Sequence, residues 1–333
     1  MSTYYAIKGQ KVQGLSPEPA NLTLGQIWYN TSTQGVRLRT TVGADSWATG
    51  NPLNTARYRP GGAGTQTSAL AFGGEVPPNN GGQTELYNGS SWTNNPNNMP
   101  TGTSGLAGAG TQTAALAFGG SGYPGLTTTQ KFDGSSWTTN PNSMLTGVWL
   151  LAGCGTQTAA LGFGGYFPST GTPAAGRSDQ CQKFNGTTWT TSGSLNDARY
   201  NLGGTGTQTS ALAFGGASTV NPAITELFNG SSWTTNPSGL TNARSSMKGF
   251  GVQTSTIAWG SQSPGAGTTE KFNGSAWTAT TTQNILTYQG ASAGDTTTGL
   301  AFGGKNSSTG NVTGTTEVWY GSAANATITI STT

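Results

Sequence analysis

The chain has 333 residues and a net charge of +3, with 54 Gly and only 8% charged residues. An average globular domain is about a quarter charged, so Ser, Thr, Asn and Gln must supply most of the polar surface. The few Lys and Arg form no basic stripe of the kind that nucleic acid requires, and no apolar run approaches the roughly 18 residues of a membrane-spanning helix. We expect neither a nucleic-acid partner nor membrane insertion.

The first 44 residues differ from the rest of the chain. Met1–Gln13 has no apolar stretch typical of a signal peptide, so none is expected. Residues 25–39 contain a Trp-Tyr strand and a Val-Leu strand around a polar turn, which predicts a β-hairpin. The run from Gly25 (Gly-Gln-Ile-Trp-Tyr-Asn) to Asp45-Ser46-Trp47 resembles a short element common in phage tail and fibre proteins. The resemblance implies that residues 1–44 form an arm for assembly with other virion proteins.

From about residue 52 onward, one pattern occurs six times. The segment 64–74 reads Gly-Thr-Gln-Thr-Ser-Ala-Leu-Ala-Phe-Gly-Gly and returns at 110–120, 155–165 and 206–216, and more loosely at 251–261 and 294–304. Leu and Phe alternate with Ala, so one face of the strand is bulky and the other small, as in sheets covered on both faces. The large aromatic residue of this strand is Phe72, Phe118, Phe163, Phe214, Trp259 and Phe302 in successive units.

A second element follows in each of the first five units. It is an Asn-Gly or Asp-Gly pair between an aromatic residue and a Trp. This pattern predicts a tight hairpin, because both turn residues tolerate the positive φ of a type I′ turn. We assign four antiparallel strands, a to d, to each unit and predict an all-β, six-bladed β-propeller with an N-terminal hairpin arm. The Trp residues that open strand d are Trp92, Trp137, Trp189, Trp233 and Trp277.

This arrangement resembles the kelch repeat, with a Gly-Gly after strand b, an aromatic residue in strand c and a Trp in strand d. The resemblance covers roughly residues 52–321 and implies a kelch-type propeller. The Arg that kelch repeats favour near strand a is present only as Arg57, Arg199 and Arg244. We expect these side chains to hydrogen-bond to loop carbonyls or to surround the mouth of the central channel.

The sixth unit lacks a Trp in strand d, where the chain has Ala324. Residues 45–52, which include Trp47, match residues 231–237 of the fourth unit. We therefore predict that residues around 45–50 supply the outer strand of the last blade, so that the propeller spans 45–333 and the arm 1–44. Residues 326–330 alternate like a strand. The sequence does not decide whether this strand is added beside the last blade.

The residue types argue against catalysis. The chain has no His, which removes the commonest general base and the imidazole ligands of the copper oxidases built on kelch propellers. The four acids of strand c, Glu85, Glu226, Glu270 and Glu317, recur at one place and are interpreted as structural, which leaves no carboxylate pair for a glycosidase. Asp133-Gly134 is similar to a sialidase Asp-box but with the wrong spacing. We expect no enzyme activity, metal or cofactor.

Cys154 and Cys181 both fall in the third unit, where other units carry small residues or Thr. Two cysteines make no disulfide framework. We predict that they are free thiols which fill small sites.

One face of the propeller is expected to bind a partner. The a–b and c–d turns are nearly invariant among the units, whereas the b–c loops on the opposite face diverge. A constant scaffold with one variable face suggests recognition, and aromatic residues and Arg dominate binding hot spots. The alternative is that these loops have drifted and their aromatic residues fold back onto the blades. The candidate anchors are Tyr123, Trp149, Tyr166, Phe167 and Arg177.

Together these features favour a non-catalytic phage virion protein, on the exterior of the tail or capsid and in several copies. A tail or fibre component would assemble through the arm and adhere to a host-surface glycan or protein. A capsid decoration protein and a lectin-like propeller outside a virus are the alternatives.

Overall fold

The computed structural model describes residues 44–121, 125–167, 176–218, 222–262 and 268–322, and the backbone of strands at 13–15, 27–30, 35–40 and 326–330. Every regular element in these ranges is a β-strand, which confirms the all-β prediction. No helix in these residues is long and apolar enough to cross a bilayer. The chain forms two compact units, Asp45–Tyr320 and Met1–Ala44 together with Gly321–Thr333.

The larger unit is the predicted propeller of six antiparallel blades, each with the strand order a-b-c-d. Strands a of blades 1 to 6 are Gly61–Thr65, Ala107–Thr111, Ala152–Gly155, Gly203–Gly206, Lys248–Val252 and Ala291–Gly294. Strands b are Ser68–Phe72, Ala114–Phe118, Ala160–Phe163, Ala211–Phe214, Ser255–Trp259 and Thr298–Phe302. Strands c are Thr84–Tyr87, Thr129–Phe132, Cys181–Phe184, Thr225–Phe228, Thr268–Phe272 and Thr316–Tyr320. Strands d are Trp92–Asn94, Trp137–Thr139, Trp189–Ser192, Trp233–Asn236, Trp277–Thr282 and Ser46–Gly50. Two short ladders lie in the b–c and d–a connections and pair Glu75–Val76 with Asn79–Asn80 and Thr287–Tyr288 with Lys305–Asn306.

The ring closes through the N-terminal segment. Ser46–Gly50 pairs antiparallel with Thr316–Tyr320, and Trp47 lies opposite Trp319. This confirms the closure predicted from Trp47. A strand from one end of the chain completes a blade from the other, so blade 6 has no missing outer strand.

The smaller unit is a separate four-stranded sheet. Ile27–Asn30 and Gly35–Thr40 form the predicted antiparallel hairpin, and Gln13–Leu15 pairs parallel with the first of these strands. Ala326–Ile330 pairs antiparallel with Gly35–Thr40. The C-terminal strand therefore belongs to this sheet and does not extend blade 6.

The alternation in strand b divides the core as predicted. In blade 1, Leu70 and Phe72 pack with side chains of blade 2, whereas Ala69 and Ala71 pack with Phe302 and its neighbours in blade 6. Each Trp of strand d lies about 5 Å from the b-strand Phe of the preceding blade, with ring centroids 4.9–5.1 Å apart. The exception is the closing strand, because Trp47 packs against Phe250 at 6.1 Å and Trp319 at 5.1 Å. All twelve predicted blade aromatics are buried.

The repeated Gly-Thr-Gln-Thr turn joins neighbouring blades. The Gln side chain donates to a carbonyl near the end of strand c in the preceding blade at 2.6–2.7 Å. A buried carbonyl left unpaired is costly, so this amide both satisfies strand c and fixes the blade spacing. Blade 6 has Thr296 in its place. The residues that make this bond are Gln66, Gln112, Gln157, Gln208 and Gln253.

The c–d turns differ from the predicted type I′ geometry. Four residues, 88–91 in blade 1, separate strands c and d, and only Gly89 has a positive φ, 95°. The Asn88 side chain accepts the backbone N–H groups of Ser90 and Ser91 at 3.0 and 2.9 Å. The type I′ prediction was wrong because the Asn acts through its side chain, as in an Asx turn, and not through a left-handed backbone.

The same turn in blade 2 contains Asp133 in place of Asn. The backbone N–H groups of Ser136 and Ser135 lower the pKa of the exposed Asp133 carboxyl well below its usual range. This carboxylate therefore caps a turn.

Trp indoles join the blades by hydrogen bonds as well as by packing. In five of six blades, the Nε1 of the d-strand Trp donates to the Thr in strand c of the preceding blade at 2.8–2.9 Å. The sixth is Trp233, which meets Cys181 at the Thr position and has no acceptor of normal geometry among the described residues. Cys154 and Cys181 are free and buried, as predicted, and burial raises the pKa of both thiols.

The three arginines that precede strand a in blades 1, 4 and 5 are buried. Arg57 pairs with Glu85, Arg199 with Glu226 and Arg244 with Glu270, and all six side chains are fully buried. Arg57 also donates to the carbonyls of Gly73 and Gln83, which agrees with the expectation that these side chains hydrogen-bond to loop carbonyls. None lies at the channel mouth. The partner that the sequence reasoning missed is the repeated Glu of strand c.

Candidate binding site

A ring of six residues surrounds the propeller axis at the start of the a strands. The backbone N–H of each residue donates to the carbonyl of its counterpart in the neighbouring blade, at 2.6–2.9 Å, and the six bonds form a closed cycle. Five of the six are non-Gly residues with φ between 53° and 63°, and the sixth is Gly105 at 64°. This conformation is costly for side chains other than Gly, and the described residues show it nowhere else outside Gly. In order, the ring residues are Arg59, Gly105, Leu150, Asn201, Ser246 and Gln289.

Below this ring lies the central channel, lined by the six a strands. Most lining residues are Gly, Ala or Thr, and the channel encloses about 160 Å³. Its one charged lining residue among those described is Lys248, at a position where other blades carry Gly or Ala. Burial lowers the pKa of Lys248 to about 8. The channel is thus narrow, with a single cation near one end.

Above the ring, the b–c and d–a connections enclose a bowl of about 400 Å³. This volume is typical of small-molecule sites. Four of the six residues that precede the ring residues are aromatic, namely Tyr58, Trp149, Tyr200 and Tyr288, and the last three of these line the bowl. The bowl is lined by Arg59, Trp149, Leu150, Tyr166, Tyr200, Asn201, Gln262, Tyr288, Gln289 and Lys305.

The aromatic wall is continuous on one side of the bowl. The Tyr166 ring packs edge-on against Trp149, with centroids 5.8 Å apart, and against Tyr200 at 5.2 Å. Backbone bonds between Trp149 and Tyr166 tie the d–a connection of blade 2 to the b–c loop of blade 3. Because each ring is held by a neighbour, the wall is preorganised, and ordering it on binding costs little.

Cations lie beside this wall. The Arg59 guanidinium lies 5.4 Å from the Trp149 ring and 5.1 Å from the Tyr58 ring, and is 3.8 Å from the Glu75 carboxylate. Burial is the main cause, and a hydrogen bond to Glu75 the second, of a pKa of Tyr58 that is raised to about 12. With its amide oxygen facing the guanidinium, Gln289 accepts from Arg59 at 3.3 Å. Arg59 is thereby fixed in place at the edge of the bowl.

The four sequence-predicted anchors that the structure describes fall into three groups. Trp149 and Tyr166 line the bowl. Arg177 supports its rim, because it pairs with Tyr166 through the backbone, donates from Nε to the Ala217 carbonyl at 3.2 Å and lies 6.0 Å from the Tyr200 ring. Phe167 instead packs against the core between blades 2 and 3, and Tyr123 lies outside the described residues.

Sequence reasoning missed Arg59, Tyr200, Tyr288 and Lys305. The first three belong to the d–a connections, whereas four of the five predicted anchors belong to the b–c loops. Alignment of the six units on the residues just before strand a would have shown the aromatic positions. It would not have shown Lys305, which reaches the bowl from a b–c loop.

Two further observations bear on chemistry. The described residues contain no group of three or more His, Cys, Asp or Glu arranged to hold a metal. No carboxylate lines the bowl itself. The groups that the bowl presents are aromatic faces, side-chain amides and cations, which can bind and orient a ligand.

Comparison with known protein families found no family that matches the chain, and a search of curated proteins found no match either.

Proposed function

We propose that this protein is a non-catalytic virion component of a phage, in the tail or its fibres, and that its propeller adheres to a host-surface ligand through the bowl. The observation that carries the binding role is the preorganised wall of Trp149, Tyr166 and Tyr200 above a rigid backbone ring. The b–c and d–a connections vary among the blades while the joining Gln and Trp contacts repeat. That contrast is expected of a scaffold that presents one recognition face.

The viral setting comes from the sequence of the N-terminal region. The run from Gly25 to Trp47 resembles an element of phage tail and fibre proteins, and its hairpin forms a sheet distinct from the propeller. A separate sheet can attach to other virion proteins in several copies while the propeller faces outward. The kelch-type spacing of the blades is consistent with a binding scaffold. Capsid decoration remains the nearest variant, and a lectin-like propeller outside a virus is the second class.

Two experiments test this proposal. Labelled full-length protein should bind host cells, and Tyr166→Ala should reduce binding at least about tenfold, as expected when a hot-spot aromatic is removed. Tyr320→Ala is the matched control, because Tyr320 is exposed and lies outside the bowl. Unreduced binding by Tyr166→Ala would exclude the bowl as the adhesive face.

Cryo-EM of intact particles tests the location. We expect propeller density at the tail. Density on the capsid would favour decoration, and particles without this chain would refute the virion assignment.

A further inference from the structure

Two cations of the bowl lie against the same aromatic ring. The Lys305 ammonium is 4.0 Å from the centroid of Tyr58, and the Arg59 guanidinium is 5.1 Å from it. Cation–π attraction holds each of them there. Both side chains line the bowl, so an anion bound in the bowl would be attracted by each positive charge.

The positive charge of this edge is only partly compensated. Arg59 faces Glu75 at 3.8 Å, and the same carboxylate also bonds to the Tyr58 hydroxyl. Lys305 makes no ion pair with any described residue. The loop segments 122–124, 168–175, 219–221 and 263–267 contain no Asp or Glu in their sequences. The chain therefore offers Lys305 no nearby carboxylate from these loops.

The remaining lining suits the rest of a sugar. Trp149, Tyr166 and Tyr200 present aromatic surface, against which the C–H face of a pyranose can pack. The exposed Gln262 and the half-buried Asn201 supply amide donors and acceptors for hydroxyl groups. A few polar groups on a mainly aromatic concave surface are the usual composition of a small-ligand site.

We infer that the bowl binds an acidic saccharide, with its carboxylate at Lys305 and Arg59 and its ring against Trp149 and Tyr166. The inference rests on the proposed adhesive function and narrows its ligand class. The two cations favour an acidic sugar over a neutral one. The aromatic wall favours a sugar over a simple anion.

The test compares two oligosaccharides that differ only in the terminal residue, glucuronate in one and glucose in the other. Affinities for the full-length protein are measured by calorimetry at low and moderate salt. We expect the glucuronate form to bind at least about tenfold more tightly, because a hydrogen bond to a charged group contributes more than one between neutral groups. The preference should shrink as salt screens the bowl.

Lys305→Gln should remove most of this preference, because it should weaken binding of the glucuronate form far more than binding of the glucose form. Lys271→Gln is the matched control, since it removes the same charge from blade 5, where Lys271 pairs with Asp45. Thermal melting of each variant checks that it folds. If Lys305→Gln is unstable, Lys305→Arg replaces it as the test, and this variant should retain the preference because it keeps the positive charge.

Equal affinity for the two oligosaccharides, or a preference that survives Lys305→Gln, would overturn the inference. Inorganic phosphate that competes as well as the glucuronate form would also overturn it, because the site would then be a simple anion site. These failures differ from failure of the proposed function, which would show as absence from particles or as cell binding that does not depend on Tyr166.

Discussion

Arg199 and Glu226 approach to 2.9 Å with both side chains fully buried. Burial raises the pKa of Glu226 despite the attraction of Arg199, and burial lowers the pKa of Arg199 despite Glu226. Removal from water thus outweighs mutual attraction in both groups, so the pair is worth little on balance although either charge alone would be expensive. Blade 3 avoids this cost with Val148 and Gln182 at the equivalent positions.

This relationship predicts a strong asymmetry between single and double substitutions. Glu226→Gln should destabilise the protein by about 3–5 kcal/mol, because Arg199 would remain charged and buried without a partner. The double variant Arg199→Val with Glu226→Gln reproduces the blade 3 residues and should recover most of the loss. Urea unfolding measures both, and a double variant as unstable as the single would refute the explanation.

Cys181 stands where the other blades have a Thr that accepts a Trp indole N–H. We expect Cys181→Thr to stabilise the protein by about 1 kcal/mol, because Trp233 Nε1 would gain a hydroxyl acceptor. The reciprocal control is Thr129→Cys, which takes the acceptor from Trp189, now bonded at 2.9 Å. That variant should lose a similar amount. Thermal melting compares the two, and changes of the same sign would contradict the prediction.

Glu317 is the strand c acid without an Arg as its ion-pair partner, because blade 6 has Thr287 at the position equivalent to Arg199. Burial raises the pKa of its carboxyl, and the backbone N–H groups of Asn284 and Ile285 only partly oppose this shift. An acid with a raised folded-state pKa holds its proton more tightly when folded. Its contribution to stability is therefore greatest at low pH and is lost as pH rises through the folded-state pKa.

Glu317→Gln should remove this dependence. We expect the variant to be more stable than the native protein at about pH 8, by roughly 1 kcal/mol, and the difference to vanish towards about pH 4. Gln130 and Gln182 show that an amide fits this place, since each accepts a loop N–H. Chemical unfolding across this pH range is the measurement, and a pH-independent difference would show that Glu317 does not titrate as described.

The backbone ring predicts opposite effects at two equivalent positions. Ser246→Gly should stabilise the protein by up to about 1 kcal/mol, because Ser246 has a φ of 63°. Gly105→Ala should cost about 1–2 kcal/mol, because a side chain there would adopt the same conformation and approach Leu150 to 3.1 Å. Melting temperatures test both. Destabilisation by Ser246→Gly would mean that the hydroxyl contact with Gln262, at 3.4 Å, matters more than the backbone.

The amino-acid sequence by itself determined the number of blades, the face of each strand b and the strand that closes the ring. These features depend on the alternation in segments such as 68–72 and on turn residues close to them in the chain, so a single unit contains the information and six units repeat it. Trp47 revealed the closure because it matches a repeated position that the sixth unit lacks.

Only the tertiary structure decided the buried pairing of Arg199 with Glu226, the cycle of backbone bonds through Arg59 and Gln289, and the approach of Lys305 to Tyr58. Each of these joins residues from different strands, loops or blades, and no local period specifies such distances. The pairing also depends on the balance between burial and attraction, which the residue types alone do not fix.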